Sequence, residues 1–396
     1  MKFKTEKLGQ FLYIKGRIGW KGLKKSEYLD YSEYMIINGE ALTKNGIDWN
    51  KAGYISKERY DESPEIMLQN EDILISKDGT IGKLGFVKDL PSKTSVASGI
   101  FVLRNLKPEI INTRFIYNYL RSSYFSNFIV SRTEGSVIPH LYQKDFVNLN
   151  FPLPSLEIQE KIVGILDCIS LKIEINNEIN NNLEQQAQAI FSNEFLALET
   201  LPEGWKQAGL IDIADYRNGL AMQKYRPDAD EIGIPVLKIK ELRQGFCDNN
   251  SEVCSSNIKR EYVIHDGDVI FSWSGSLLVD FWCGGICGLN QHLFKVTSNE
   301  YDKWFYYSWT KHHLYRFIAV AADKATTMGH IKRNELSKAE VLIPNETDYN
   351  RIGALIKPIY DLIIANRIEN KKLAETRDSL LSKLMSGEID VSDLEI

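Results

Sequence analysis

The 396-residue chain is 43% apolar and 26% charged, the balance of a folded protein long enough for two or more domains with their own cores, which excludes a disordered one. A net charge of −5 excludes a uniformly basic nucleic-acid binder. No run approaches about 18 uncharged apolar residues, and the opening MKFKTEKLGQ has no apolar leader, so no membrane segment and a cytoplasmic location are expected.

The charge is uneven along the chain. Residues 1–150 carry 22 Lys and Arg against 17 Asp and Glu, residues 151–200 carry 2 against 8, residues 201–343 carry 17 against 18, and residues 344–396 carry 7 against 10. The acid falls mainly on two helical stretches, and the rest is neutral to mildly basic, which permits local phosphate-binding patches.

Residues 1–153 read as a first globular domain. Short β-rich runs such as Ile73–Ser76 and Ile100–Leu103 alternate with glycine turns and precede an aromatic, helix-like segment, Phe115–Tyr124, so the class is mixed α and β. Two segments carry phosphate-binding chemistry. One combines Arg17, Gly19, Trp20, Lys21, Lys24 and Lys25; the other, Ser76–Lys83, offers Lys77, Thr80 and Lys83 around Gly79 and Gly82. Each also fits an ordinary solvated surface.

Residues 154–198 read as one long helix. Its apolar positions step by four and three through Ile162, Leu166, Ile169, Ile173, Asn176, Asn180, Leu183, Ala187 and Ile190, a coiled-coil seam with two polar interruptions that would set register at some cost in stability. A helix over roughly 158–195 would be about 55 Å long, a spacer as well as a core element. Pro202 and Gly204 punctuate the restart.

Residues 199–344 repeat the globular pattern, with strand-like Val236–Ile239 and Val269–Ser272 and an aromatic segment, Trp304–Phe317. Glu71–Ser76 matches Gly267–Ser272 at an offset of 196; His140 and Leu141 match His330 and Ile331 at 190; Arg17 and Gly19 match Arg217 and Gly219 at 200. Residues 345–396 repeat the helix, with a seam of Ile352, Ile356, Ile359, Ile363, Asn366, Asn370, Leu373, Arg377 and Leu380. Even the Asn positions coincide. Pro358 should kink this copy or delay its regular start. The expected fold is α+β: two globular domains in pseudo-twofold arrangement, joined by two long antiparallel coiled-coil-like helices. Cations and hydrogen-bonding groups recur in the second domain at Arg217, Lys224, Trp273, Ser274, Lys332 and Arg333.

Catalytic motifs are missing: no G-x-x-x-x-G-K-[ST] loop, no G-x-S-x-G elbow, no H-E-x-x-H helix, and no Pro-Pro pair of the kind an amino-methyltransferase tetrad needs. Cysteines 168, 247, 254, 283 and 287 are odd in number, against a disulfide framework. The spacing of the last four is poor for zinc, so free thiols and a metal-free protein are expected. His140 and His330 read as structural histidines rather than catalytic ones.

The run from Gly135 through Pro139, His140, Lys144 and Phe146, then Phe151–Ile162 with Pro152, Pro154, Glu157 and Gln159, then Asn176–Phe195, and the second-copy run Met328, His330, Pro344, Met385 and Gly387, together resemble a specificity subunit of a type I restriction-modification system. The resemblance covers essentially the whole chain. It implies two target recognition domains reading a bipartite, asymmetric double-stranded DNA sequence, on a helical ruler that docks two DNA methyltransferase (modification) subunits, with restriction subunits in the full complex. Such a subunit is non-catalytic and holds no cofactor; S-adenosylmethionine, ATP and Mg²⁺ belong to its partners. The proposed DNA contacts are Arg17, Lys21, Lys77, Thr80, Lys83 and Lys144 in the first domain and Arg217, Lys224, Trp273, Ser274, Lys332 and Arg333 in the second. The two seams from Ile162 to Leu183 and from Ile352 to Leu373 are the expected partner-docking and helix-pairing positions. The second copy departs from the family pattern at 345–352, where the Pro-Leu-Pro-Ser-Leu-Glu and Gln of the first are missing, which implies unequal partner interfaces. The competing readings are a structural adaptor with duplicated protein-interaction domains and the specificity subunit of a related two-subunit restriction system.

Overall fold

A computed structural model describes residues 3–43, 46–133, 140–323, 331 and 333–394. The chain divides into two compact units, Met1–Ser170 with Glu375–Ile396, and Leu171–Ala374.

In the first unit a four-stranded antiparallel sheet runs in the order Leu12–Gly16, Ile100–Asn105, Ile73–Ser76, Leu84–Phe86. Ile73, Leu74 and Ile75 are all buried because both faces of this sheet are covered. Ile73, Ile75, Phe101 and Leu103 pack on Phe115, Tyr119, Phe125 and Phe146. Leu74, Ile100 and Val102 pack on Ile37, Leu42, Val87 and Val96. A smaller sheet pairs Tyr34–Ile37 in parallel with Lys93–Val96 and antiparallel with Gly53–Tyr54. The strand pair Lys4–Lys7 and Asn150–Leu153 closes the domain just before the long helix.

The second unit repeats this plan with Asp215–Asn218, Leu293–Thr297, Val269–Ser272 and Leu278–Phe281 in the large sheet. Ile234–Leu237 lies parallel to Cys287–Leu289, and Lys206–Gly209 pairs with Glu340–Ile343. The expected strand Val236–Ile239 is therefore displaced: it ends at Leu237, and Ile239 opens a short helix to Gln244 capped by Gly245 in the left-handed conformation. Each aromatic segment is two helices rather than one, Thr113–Arg121 with Ser123–Thr133 and Lys303–His312 with Leu314–Asp323.

Sheet register gives the true alignment of the copies. Ile75 pairs with Phe101 and Phe271 with Phe294, which equates Phe101 with Phe294. Phe101 also faces Gly16, and Phe294 faces Asn218. Gly16 is therefore equivalent to Asn218, at an offset of 202, and Arg17 falls on Gly219 rather than on Arg217. The sequence offset of 200 is corrected: similar residue types had been aligned two positions out of register.

The first long helix is Leu156–Phe191, followed by one wider turn, Ser192–Leu196. The second is Glu346–Ser386. It starts under an Asn345 side chain that accepts from the Asp348 N–H at 2.9 Å and ends at Gly387, φ +72°, with the Glu388 N–H donating to the Lys383 carbonyl, the usual way of satisfying terminal groups. Pro358 lies inside it, so the expected late start does not occur. In the first unit Ile158, Ile162, Val163 and Leu166 share a core with Leu381, Leu384 and Met385. In the second, Ala187 and Phe191 share one with Ile352, Ile356 and Ile363.

The Asn interruptions meet each other. In the second unit Asn176 donates to Asn370 at 2.8 Å and Asn366 donates to Asn180 at 2.9 Å. Asn176 and Asn366 are equivalent in the repeat, as are Asn180 and Asn370, so the contacts are reciprocal, the mark of a local twofold between antiparallel copies of one helix. Buried amides that satisfy one another fix register where an all-apolar seam would slip.

The cysteines are free thiols, with Cys168 exposed and Cys254, Cys283 and Cys287 buried. Burial pushes the Cys254 thiol up to about 11 and Cys283 up to about 12. Among the described residues no three His, Cys, Asp or Glu side chains gather as a metal site, and no helix is long and apolar enough to cross a membrane.

Candidate nucleic-acid interface

The loop after Ile73–Ser76 is built from inside outward. Ser76 is buried, and its hydroxyl donates to the Thr80 carbonyl at 2.6 Å and accepts from the Lys83 N–H at 2.8 Å. Gly79 sits at φ +65°, a conformation that strains any residue with a Cβ. The Leu141 N–H donates to the Lys77 carbonyl at 3.1 Å, tying the loop to the stretch after His140. Lys77 lies across the Phe101 ring with its ammonium 5.4 Å from the centroid, and 3.3 Å from Asp78. His140 Nδ1 contacts the other Asp78 oxygen. The His140 ring meets Tyr142 at 4.6 Å, and Lys144 lies 5.4 Å over Tyr142.

Lys77, Thr80 and Lys144 are thus brought into one neighbourhood with Asp78, His140 and Tyr142, three residues outside the original set. The signal for His140 and Tyr142 was the His140-Leu141-Tyr142 run, while Asp78 lies in the Ser76–Lys83 loop itself. Lys83 donates to the Gly39 carbonyl at 2.8 Å, and Lys21 to the Glu62 carbonyl at 2.5 Å, so each has its ammonium on a neighbouring loop.

Arg17 is corrected. It is 3% exposed, and its guanidinium donates to the Val96 carbonyl at 3.1 Å and to the hydroxyls of Ser63 and Ser95 at 3.3 Å. Burial and the nearby Arg59 cation lower its pKa. It joins the two sheets, and its burial keeps the guanidinium out of reach of a phosphate.

In the second domain the equivalent loop uses the same joints. The Ser272 hydroxyl donates to the Ser276 carbonyl at 2.9 Å, Gly275 sits at φ +63°, and the Ile331 N–H donates to the Trp273 carbonyl at 2.9 Å. Trp273 packs on Phe294, centroids 5.6 Å apart, and its indole N–H donates to Asn218 at 3.0 Å. Ser274 bonds His292 Nδ1 at 3.1 Å.

Arg217 and Arg333 form a separate group. Strand alternation turns Asp215 and Arg217 to the face opposite Tyr216 and Asn218. Arg217 pairs with Glu261 at 3.0 Å and Asp215 at 3.6 Å, while Arg333 donates to the Tyr216 carbonyl at 3.0 Å and lies 4.0 Å from Asp215. They border an open depression of about 690 Å³ that also takes in Thr297, Glu300 and Asn334. Lys224 is exposed on a short helix of its own, Met222–Lys224. Lys332 and His330 lie outside the described residues.

The fully buried seam positions are also corrected as docking residues. Ile162, Leu166, Ile352, Ile356 and Ile363 are at most 1% exposed, and the four Asn side chains are bonded to one another. The apolar side chains that the long helices leave outside are Leu171, Ile175 and Ile179 on the first and Leu355 and Leu362 on the second.

Gln159 of the proline-rich motif is likewise structural. Fully buried, it accepts from the Asn112 N–H at 2.8 Å and donates to the carbonyls of Pro154 and Ile110 at 2.9 and 3.1 Å. Its equivalent in the second copy is Tyr349, whose hydroxyl accepts from the Asp302 N–H at 2.8 Å, and Asp302 is the equivalent of Asn112. The apparent loss of a motif residue is an exchange of one acceptor for another.

The model of the type I restriction modification DNA specificity domain matches the chain twice, over residues 2–185 and 202–375. The chain is 25% identical over 348 residues to the type I restriction enzyme MjaIX specificity subunit of Methanocaldococcus jannaschii, covering 81% of this chain and 78% of that one. It is 25% identical over 409 residues to the EcoKI specificity subunit of Escherichia coli, covering 92% and 85%. Its fold is similar to the crystal structure of the type I restriction-modification S subunit from M. genitalium, with a TM-score of 0.56 at 14% identity over 97% of this chain and 96% of that one. Two matched domains, each running into its long helix, place the chain in the family of type I restriction-modification specificity subunits.

Proposed function

We propose that each globular domain reads one part of a bipartite, asymmetric double-stranded DNA target, and that the paired helices hold the two readers at a fixed separation. Two methyltransferase subunits dock on the outward helix faces, and restriction subunits join the larger complex. The chain is non-catalytic and cytoplasmic in this reading. S-adenosylmethionine for methylation, and ATP and Mg²⁺ for cleavage, are held by the partners.

The observation that carries the proposal is the reciprocal pairing of Asn176 with Asn370 and of Asn180 with Asn366. It supports a ruler because paired amides forbid the helices to slide, and an element that sets a distance must not slip. Two readers on such a ruler suit half-sites about one DNA turn apart, roughly 34 Å or 10 base pairs. Within the readers, Lys77, Thr80 and Lys144, and Trp273, are the favoured contacts; Ser274, 5% exposed and bonded to His292, shapes the loop behind Trp273 instead. Lys21, Lys83, Lys224, Arg217 and Arg333 are peripheral phosphate contacts.

The test inserts one heptad into each helix, between Ile173 and Glu174 and between Lys372 and Leu373. That adds about 10 Å and keeps the seam in phase. The gap in the methylated sequence, mapped genome-wide with the partners present, should lengthen by about three base pairs with both half-sites unchanged. An unchanged gap in an assembled complex rules the ruler out.

A further inference from the structure

The two domains hold one loop in the same frame and give it different tips. Ser76 and Ser272 fold it back, Gly79 and Gly275 turn it, Leu141 and Ile331 tie its carbonyl, and Phe101 and Phe294 support its leading side chain. On that frame the first copy carries Lys77, Asp78 and Thr80, and the second Trp273, Ser274 and Ser276. In both, a histidine steadies the second tip residue, yet the histidines come from different places in the chain: His140 just before the loop's tie at Leu141, and His292 from the turn before Leu293–Thr297. A scaffold needed only for stability has no reason to exchange charged for uncharged residues at the loop's tip while every joint is kept.

We propose, resting on the two-reader function above, that this tip is the specificity-determining element of each domain and that the first one selects a G·C pair. Lys77 offers a donor and Asp78 an acceptor 3.3 Å apart. In the major groove a G·C pair presents the complement, the O6 and N7 acceptors of guanine beside the N4 donor of cytosine. Asp78 is 44% exposed along its side chain and Thr80 is exposed beside it, so both reach outward as they stand; Lys77, 14% exposed, does so by swinging its flexible ammonium off the Phe101 ring. The second tip has no formal charge. Its indole and the exposed Ser276 hydroxyl fit a thymine methyl group and the edge beside it, with Ser274 buried behind them on His292, which assigns that domain an A·T pair at the equivalent place.

The experiment transplants the second tip onto the first loop as K77W, D78S and T80S together, with D78N as a milder variant, each expressed in full length with its methyltransferase subunits. The methylated motif is then read by sequencing. The triple variant should change a G·C position in one half-site and leave the other half-site and the gap as they were. D78N should relax the same position, discrimination there falling about tenfold or more. An unchanged motif, or a change spread over both half-sites, from variants that assemble as the wild type does overturns the proposal; if the triple variant fails to assemble, D78N decides alone. A wild-type complex that methylates no bipartite motif overturns the two-reader function instead, so the two failures are told apart.

Discussion

The two copies of the domain solve the same structural problems with different side chains. At the turn leading into the central strand, Asp72 is fully buried, held by both Nε and Nη2 of Arg104 at 2.7 Å, and accepts from the Gln69 N–H at 2.7 Å. Its equivalent Asp268 accepts from the His265 N–H at 2.9 Å but meets a lysine, Lys295, at 2.7 Å, from a neighbouring position of the partner strand. The acid and its backbone bond stay, and the cation moves. Where the acid closes a turn through its N–H the geometry of the acceptor is fixed, whereas the charge that balances it need only be near.

That contrast is sharpest in the cost of removing the acid. Asp72→Ala leaves the Arg104 guanidinium partly buried without its fork and orphans the Gln69 N–H, a loss of about 3–5 kcal/mol. Asp268 is itself 18% exposed and holds a single ammonium that keeps its bond to the Val263 carbonyl, so Asp268→Ala should cost about 1–3 kcal/mol. Hydrogen exchange measured strand by strand reads both: protection of Ile73–Ser76 should fall further in the first variant than that of Val269–Ser272 in the second. Equal losses would mean that the fork contributes nothing beyond the point charge.

A smaller effect separates the two helix clamps. Gln159→Leu removes an acceptor and two donors at once and should destabilise the Thr113–Arg121 helix by about 2 kcal/mol. Tyr349→Phe removes one acceptor and should cost the Lys303–His312 helix about 1 kcal/mol. Gln159→Met keeps the volume but not the bonds, and exchange rates near those of Gln159→Leu would show that the bonds matter and not the filling. If instead Gln159→Leu weakens methyltransferase assembly with no change in exchange, the residue is a docking contact after all.

Much of this frame is visible in the sequence, and the parts that are not have a common cause. The duplication, the seam with its matched Asn interruptions and the Ser76 and Ser272 loops could be read because each copy kept the same residue types at the same spacing. Arg17 was matched with Arg217 because the two Arg-x-Gly runs lie two residues out of structural register, and only strand pairing reveals the slip. The equivalence of Gln159 and Tyr349 was hidden because an amide and a phenol share no pattern; they share only the N–H they accept from. Contacts made through backbone carbonyls, such as Leu141 to Lys77, leave no trace in side-chain identity at all. Sequence therefore showed which loop presents chemistry and not which residues hold it in place.

The last difference is a titratable one. At the junction of the paired aromatic helices the first copy has Ser122, buried and donating to the Tyr119 carbonyl at 2.6 Å, and the second has His313, whose Nε2–H donates to the Glu340 carbonyl at 2.7 Å. Burial holds the His313 imidazole down to about 4, with His312 and Arg316 adding to the effect. The unfolded chain, with an ordinary imidazole near 6.5, binds the proton first. The stability that His313 contributes is therefore complete above about pH 6.5 and lost as pH falls toward 4. Across that window the second unit should lose on the order of 1 kcal/mol that the first does not, seen as faster exchange in Lys303–His312 than in Thr113–Arg121 at pH 5 relative to pH 7. His313→Asn keeps a donor for the Glu340 carbonyl without the titration and should bring the two units' acid responses together. If the variant leaves the gap between them as wide as before, the acid sensitivity comes from carboxylates and not from this ring.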